Sequence, residues 1–319
     1  MKASPQNKTT AILLAVHMAL GGLAACGAME LAPQSPKSSS DSEVLAIRPA
    51  ASTGVGEPGA KALDAKAIVE SRFPLVLMYH DIMAGAPSAD DVSPENFVAQ
   101  LNWLQSQNYK TISIDQYFAY KSGKITKAQL PANPVLLTFD DGYKGVVNVA
   151  SKELAKRQFQ ATLFVHTGFV GSTTGRPKMT WADYNSLESQ TDSQGKPLFR
   201  VYSHTVSHPV APNGLASLSL ANLQKELKDS KAALETHLEL KVPRHYIAWP
   251  QGNYDTQVVA EALQAGYVGA FAVGSPKAQL KVNGLKQPLL FQLGRMGVGK
   301  SISSVSGFAA RVQAWKTGK

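Results

Sequence analysis

The sequence predicts an α/β chain whose parallel sheet closes as a (β/α) barrel, and three observations carry that prediction. Short apolar runs without alternation, such as Leu75-Val76-Leu77-Met78-Tyr79 and Ala161-Thr162-Leu163-Phe164-Val165, suit strands covered on both faces. Segments of helical period separate these runs, as crossovers between parallel neighbours require. The number of strand-helix units, spread over about 250 residues, fits a barrel better than an open sheet.

The elements follow in order. A first strand over 74–79 runs into His80-Asp81. Ser93 as N-cap, Pro94 at the first helical position and Glu95 in the first turn open a helix whose inner face is Phe97, Leu101 and Leu104. A short strand is expected over 111–114 and a third over 135–139. A helix over 143–157 should turn Val147, Ala150 and Leu154 inward. The strand at 161–165 stops at His166, Thr180 caps a short helix from Trp181, and the strand at 199–203 stops at His204. The longest helix, 218–238, carries the stripe Leu220, Leu223, Leu227, Leu234 and Leu238, which reads as core. Pro250 closes a strand over 246–249, and Gly266 ends a helix over 255–265. Strands over 267–273 and 290–295 and a last helix over 302–315 complete the series. No period of 20 to 50 residues repeats.

The amino terminus sets the compartment. Lys2 and Lys8 precede the apolar run 11–20, which leads into Leu23-Ala24-Ala25-Cys26, the order of a secretory signal. The run is too short to span a bilayer. Cys26 is the only cysteine, so no intrachain disulfide is available to it, and it stands where a bacterial lipobox places its lipidated residue. Residues 1–25 are therefore expected to be a lipoprotein signal peptide. Residues 26–65, rich in Ser, Pro, Ala and Gly, are expected to be a flexible linker from lipidated Cys26, and 66–319 the folded domain. More than one acyl chain on Cys26 gives stable anchoring. Gly27, where an Asp would retain the chain, directs it to the periplasmic side of an outer membrane if the cell has one. The formal net charge of +9 loses two lysines with the signal segment. The remaining basic residues are not clustered as nucleic-acid binding requires.

The polar residues at the strand ends carry the chemistry. His80, Asp140, Asp141, His166 and His204 each follow the last apolar residue of an expected strand, so a parallel barrel gathers them on its carboxyl-end face, where catalytic residues lie. Adjacent Asp140 and Asp141 would point to opposite faces of an extended strand, so the backbone must turn between them if both serve one site, and Gly142 supplies the freedom. Read alone, the stretch is equally an Asp-Asp-Gly turn. His208 follows His204 at a spacing that puts both rings together in a helical turn or a tight loop. With Asp141 they make two imidazoles and one carboxylate, a donor set that leaves a position for water. Zn2+ suits these mixed donors, and Fe, Co or Ni suit the same set. His166 either lines the groove or merely ends its strand, and His237 and His245 carry no pattern. Trp181 and Trp249 are candidates for stacking on sugar rings, with burial in the barrel as the alternative.

Thr138-Phe139-Asp140-Asp141-Gly142-Tyr143 together with His204-Thr205-Val206-Ser207-His208 resembles the first two signature motifs of the NodB-like polysaccharide deacetylases, carbohydrate esterase family four. Met78-Tyr79-His80-Asp81 and Trp249-Pro250-Gln251-Gly252 resemble the branch of poly-β-1,6-N-acetylglucosamine N-deacetylases. The resemblance implies a distorted parallel (β/α) barrel of the polysaccharide deacetylase type that removes N-acetyl groups from an amino-sugar polymer. It makes Asp141, His204 and His208 metal ligands, Asp140 the general base, His80 the general acid and the Tyr143 N–H an oxyanion donor. Pro250 and Trp249 belong to the motif lining the groove. Trp249 stands where many members carry an arginine, and Arg244 lies too far upstream to match it. What orients Asp140 is thus left open, as is the role of Arg295, which resembles a late barrel-strand arginine of the same branch. Tyr202 replaces a small residue before the Ser-His pair, which bears on the groove wall.

The competing functions differ in chemistry. A glycosidase also uses two carboxylates, but set across a sugar by about 5 Å or more, and neighbouring aspartates beside two histidines fit a metal site better. An O-acetyl polysaccharide esterase shares every catalytic residue, peptidoglycan is a further candidate polymer, and an inactive polysaccharide-binding lipoprotein would be expected to lose a ligand or the base. The expected partners are the polysaccharide, the membrane through Cys26 and exopolysaccharide export proteins.

Overall fold

The computed structural model describes residues 61–62, 70, 72–210, 212–274, 278–279 and 288–318. The expected signal peptide, Cys26 and nearly all of the expected linker lie outside the described residues. Lys61–Ala62, inside that linker, pairs antiparallel with Ala278–Gln279. Among the described residues, no helix is long and apolar enough to cross a membrane.

Strand β1 (Leu75–Tyr79) is buried along its length. Helix α1 (Pro94–Ser106) begins as expected, with the Ser93 side chain accepting the Asn96 N–H and Phe97, Leu101 and Leu104 buried. Then follow β2 (Tyr109–Thr111), α2 (Ile114–Lys121), β3 (Asn133–Phe139), a π-type turn (Val146–Ala150) running into α3 (Ser151–Lys156), β4 (Ala161–Val165) and α4 (Trp181–Glu188). The second half comprises β5 (Phe199–Ser203), α5 (Leu220–His237), β6 (Tyr246–Ala248), α6 (Thr256–Gln264), β7 (Gly269–Phe271), β8 (Met296–Gly297) and α7 (Val305–Thr317).

The strands run in the order β8-β1-β3-β4-β5-β6-β7, with β2 beside the start of β3, and every pairing is parallel. One segment joins the two edges. Leu293 bridges Phe271, Arg295 bridges Gly274, and Met296 pairs with Leu77. The sheet therefore closes into a distorted (β/α) barrel whose last seam consists of single bridges.

Residue parity explains why the strands read as unbroken apolar runs. Val76, Leu136, Phe164, Tyr202, Ala248 and Phe271 fill the barrel interior. Leu77, Leu137, Leu163 and Val201 instead pack with the surrounding helices, together with Leu101, Leu154 and Leu187. Helix α2 plugs the amino-terminal end. Its Phe118 stacks on Tyr246 with ring centroids 4.3 Å apart, and a Cβ on Gly269 would lie 1.9 Å from the Phe118 ring.

Four expectations are corrected. The strand expected over 111–114 ends at Thr111, because Ser113 and Gln116 form a reciprocal capping box that starts a helix at Ile114. In the segment after Tyr143 the fully buried residue is Val146, and Val147 packs against the same core only partly buried, because the π-type turn shifts the helical phase. Leu220 is 47% exposed, since it occupies the first position after the Ser219 cap and drops out of the stripe. The strand expected over 290–295 is replaced by a 3-10 turn, Pro288–Phe291, and the seam described above.

Candidate active site

The strand ends converge as parallel topology demands. His80 follows β1, Asp140 follows β3, His166 follows β4 and His204 follows β5. Asp141 has φ 69° and Gly142 has φ 72°, so two consecutive left-handed residues turn the chain between the carboxylates. The position also needs glycine for space, because a Cβ on Gly142 would stand 2.2 Å from the Tyr184 hydroxyl. Left-handed Thr205 (φ 70°) and His208 (φ 54°) make the tight loop that returns His208 to His204, their ring centroids 4.9 Å apart. Glu226 on α5 holds that loop by accepting the Val206 and Ser207 N–H groups at 2.8 and 2.9 Å.

Asp140 is buried against an equally buried arginine. Arg295 donates from both terminal nitrogens to its two carboxyl oxygens, at 2.6 and 2.7 Å. Arg295 also donates to Thr138 Oγ1 at 3.2 Å and to the Ala272 carbonyl at 3.3 Å. Burial alone would raise the Asp140 pKa. The Arg295 charge, with His204, Arg295 hydrogen bonding and His80, outweighs it and holds the carboxyl below its ordinary value.

Asp141 has a different environment. Its Oδ1 lies 3.2 Å from His166 Nε2, 3.5 Å from His204 Nε2 and 3.8 Å from His208 Nε2. This buried oxygen nevertheless has no well-aligned hydrogen-bond donor among the described residues. Burial acts to raise its pKa, but the imidazoles of His166, His204 and His80 hold it well below the ordinary carboxylate value. The His204 Nδ1 lies 2.8 Å from the Ala248 carbonyl, which fixes Nδ1 as the protonated nitrogen and leaves the Nε2 lone pair for a ligand. Burial lowers the His204 pKa to about 4, so the ring is neutral at neutral pH. Donor atoms of Asp141, His204 and His208 all lie within 4.8 Å of one another. An orphaned carboxylate oxygen beside imidazole nitrogens is a donor set that fits a divalent cation.

Tyr143 pairs with Lys178 across an antiparallel bridge whose flanking bonds are Lys144 N–H to the Pro177 carbonyl and Met179 N–H to the Gly142 carbonyl. The Tyr143 N–H therefore points away from that partner. Lys178 lies over the Tyr143 ring, 3.2 Å from its centroid, and donates to the Asp141 carbonyl at 3.1 Å.

Residues 127–270 match the family model described as polysaccharide deacetylase. The chain carries a polysaccharide deacetylase domain of the NodB-like type. It is 26% identical to the Bacillus subtilis protein YxkH over 76% of each chain. It is 24% identical to the poly-β-1,6-N-acetyl-D-glucosamine N-deacetylase of Staphylococcus aureus over 57% of this chain, and spans 61% of that relative's length. The Streptococcus pyogenes deacetylase PplD superposes with a TM-score of 0.58 at 25% identity, covering 74% of this chain and 96% of that one.

The structure brings His80, Asp140, Asp141, His204 and His208 to one end of the barrel, and it gives partners to two residues whose roles the sequence left open. Arg295 is the partner of Asp140, and His166 abuts Asp141. Arg244, the other arginine weighed for orienting Asp140, pairs with Glu188 instead. One of the two expected aromatic platforms is corrected. Trp249 is fully buried and its indole N–H donates to the Phe291 carbonyl at 2.9 Å, so it presents no face to a sugar, and Pro250 is buried beside it. Trp181 stacks on His237, with centroids 4.7 Å apart. Tyr202 lies in the barrel interior rather than in a groove wall. Phe169 is the exposed aromatic at the histidine cluster: it is 42% exposed and meets the His166 ring edge-on at 5.2 Å. A Phe four residues past the end of an apolar run gives little warning of that position.

Proposed function

We propose that this chain is a metal-dependent hydrolase that removes N-acetyl groups from an N-acetylglucosamine-containing polysaccharide, with poly-β-1,6-N-acetylglucosamine exopolysaccharide as the favoured polymer. The observation that carries the reading is the contrast within Asp140-Asp141. One carboxylate is neutralised by Arg295, and the other is left open toward three imidazoles. The Staphylococcus relative supports the choice of polymer. Anchorage to the bacterial cell envelope through lipidated Cys26, ahead of a domain over 66–319, belongs to the same proposal, as does work beside export proteins.

Asp141, His204 and His208 would hold the metal, and Zn2+ is the first candidate for their mixed donors. A bound divalent ion supplies a water of lowered pKa and polarises the amide carbonyl. Asp140, ionised beside Arg295, accepts the proton of the attacking water. Its low basicity suits a water that is already acidic. The Tyr143 N–H stabilises the negative charge that develops on the carbonyl oxygen. His80 donates a proton to the departing nitrogen, since an amide anion does not leave unaided. The test is acetate release by the full chain from β-1,6 N-acetylglucosamine oligomers, chitin oligomers, peptidoglycan and acetyl-xylan, before and after chelation and return of zinc. Release from an amino sugar that chelation abolishes and zinc restores is the expected result. Release from acetyl-xylan alone would replace the amidase with an esterase, and release from no substrate with zinc bound would favour a binding protein.

A further inference from the structure

The mechanism above leaves His166 unused, although it makes the shortest contact to the candidate metal centre. Its Nε2 is 3.2 Å from Asp141 Oδ1, closer than His204 or His208, yet the contact is not aligned as a hydrogen bond. Its other ring nitrogen, Nδ1, is buried with no partner among the described residues, and His166 as a whole is only 7% exposed. A buried imidazole whose Nδ1 has no partner, and whose Nε2 meets only a poorly aligned carboxylate oxygen, is costly in a structural role. Two donors that share one ion at bond lengths near 2.0–2.1 Å stand about 3 Å apart and point at the ion rather than at each other. The Asp141–His166 contact has that character.

The backbone fixes the ring in this place. Thr167 N–H donates to the Thr205 carbonyl at 3.0 Å and Gly168 N–H to the Val206 carbonyl at 2.9 Å, so the loop after β4 is zipped to the loop that carries His204 and His208. A Cβ on Gly168 would come 2.8 Å from the Val206 carbonyl oxygen, and glycine is what permits the zip. Phe169 closes over one edge of the His166 ring, and the His208 ring stands 5.4 Å away on another side.

We infer that His166 is a fourth protein donor to the metal, joining Asp141, His204 and His208 in a centre of at least five ligands, so that a position remains for water. The inference rests on the metal-dependent reading proposed above. His166 lies outside the trio whose donor atoms are all within 4.8 Å of one another, and its ring centroid is 6.2 Å from that of His204. Metal binding must therefore draw these two rings together across the centre. A third imidazole raises affinity for Zn2+, Co2+ and Ni2+ over oxygen-preferring ions such as Mg2+ and Ca2+.

The experiment uses the full chain stripped of metal, with Zn2+ affinity measured against a chelating dye and the visible spectrum recorded on loading with Co2+. His166→Phe keeps the ring volume beneath Phe169 and removes both nitrogens, and His166→Gln serves if the first variant unfolds. The expected result is Zn2+ binding weakened by about 10–100-fold and a Co2+ spectrum altered in position and intensity. Affinity within twofold of wild type would overturn the inference. Weakened affinity with an unchanged Co2+ spectrum would also overturn it, because His166 would then act only by orienting Asp141. If the wild-type chain itself binds no metal, the metal-dependent reading fails and this inference falls with it, an outcome distinct from wild-type binding that His166→Phe leaves unchanged.

Discussion

Two buried arginine–carboxylate pairs stand in this barrel, and their surroundings give them different work. Arg295 holds Asp140 at 2.6 and 2.7 Å, and Arg244 holds Glu188 at 2.6 and 2.8 Å, both bidentate and both nearly sealed from solvent. Around Arg244–Glu188 the remaining partners are backbone. Arg244 donates to the Val201 and Leu240 carbonyls, and Glu188 accepts the Val201 N–H. That pair fastens α4 to β5. Asp140 instead lies 3.8 Å from His204 Nε2 and within the field of His80, with no backbone donor among its leading interactions. Burial and pairing alone do not mark a site; the titratable neighbours do.

The largest expected effect follows from neutralising one carboxylate in place. Asp140→Asn keeps the shape and removes the base, so turnover at saturating metal should fall about 10²–10⁴-fold while metal affinity and thermal stability stay close to wild type. Steady-state kinetics with a parallel metal titration measure this. Full turnover with metal bound would remove Asp140 from the chemistry and make its pair with Arg295 structural, like the other one.

Cutting each pair from the arginine side separates them next. Arg295→Met and Arg244→Met each strand a buried carboxylate, and each should cost about 3–5 kcal/mol in denaturant unfolding. Their pH–rate profiles should part. Without Arg295, burial acts on Asp140 against His204 and His80 alone, its pKa rises, and the acid limb of the profile moves to higher pH. Without Arg244 the acid limb stays in place, and only the amount of folded enzyme falls. Equal shifts in both variants would erase the distinction.

The histidines add a pH dependence with a definite sign. The His204 pKa is depressed to about 4 from 6.5, because burial disfavours the imidazolium. Between those values the unfolded chain binds a proton that the native chain does not, so native stability falls as pH drops from about 6.5 toward 4. The fully developed loss from this ring is on the order of 3 kcal/mol. Asp140 and Asp141, also depressed, extend the loss below their unfolded values near 3.8. Thermal unfolding of the metal-stripped chain between pH 7 and 4 measures it. A flat profile down to pH 4.5 would mean that His204 is protonated in the native state, which its place in the donor set forbids.

What the sequence discloses and what it conceals divides along the same line. The strands are legible because an unbroken apolar run such as Val135 to Phe139 has few alternatives, and the polar residue at its end is conspicuous by contrast. Helix α2 is hidden because Thr111-Ile112-Ser113-Ile114 alternates with β-branched residues, while the local capping box of Ser113 and Gln116 decides for helix. The partner of Asp140 is 155 positions away on a seam held by single bridges, so no local pattern points to it. The buried Trp249 was indistinguishable from an exposed one because both follow a short strand and precede a proline. The left-handed turn at Asp141 is foreshadowed only by Gly142.

Glu226 supplies the intermediate case and the smallest expected effect. Glu188 is held by Arg244 and one backbone N–H, whereas Glu226 is satisfied without a cation, by the Val206 and Ser207 N–H groups and the Ser207 hydroxyl, and the loop it holds carries the candidate ligands His204 and His208. It is half-buried on α5, so water can replace part of what it provides. Glu226→Ala should therefore cost only about 1 kcal/mol of stability. Because the loop loses its clamp, Zn2+ affinity should weaken about three- to tenfold, while turnover at saturating metal stays within about twofold of wild type, the pattern of a group that positions ligands without touching the reaction. Glu226→Gln, whose side-chain oxygen can still accept both N–H groups, should recover most of the affinity. Metal titrations on the two variants decide the point. If both lose affinity equally, the negative charge of Glu226 acts on the centre directly, and it belongs with Asp140. If neither loses any, the loop is held by its own left-handed turn, and Glu226 joins Glu188 as a fastening of the fold.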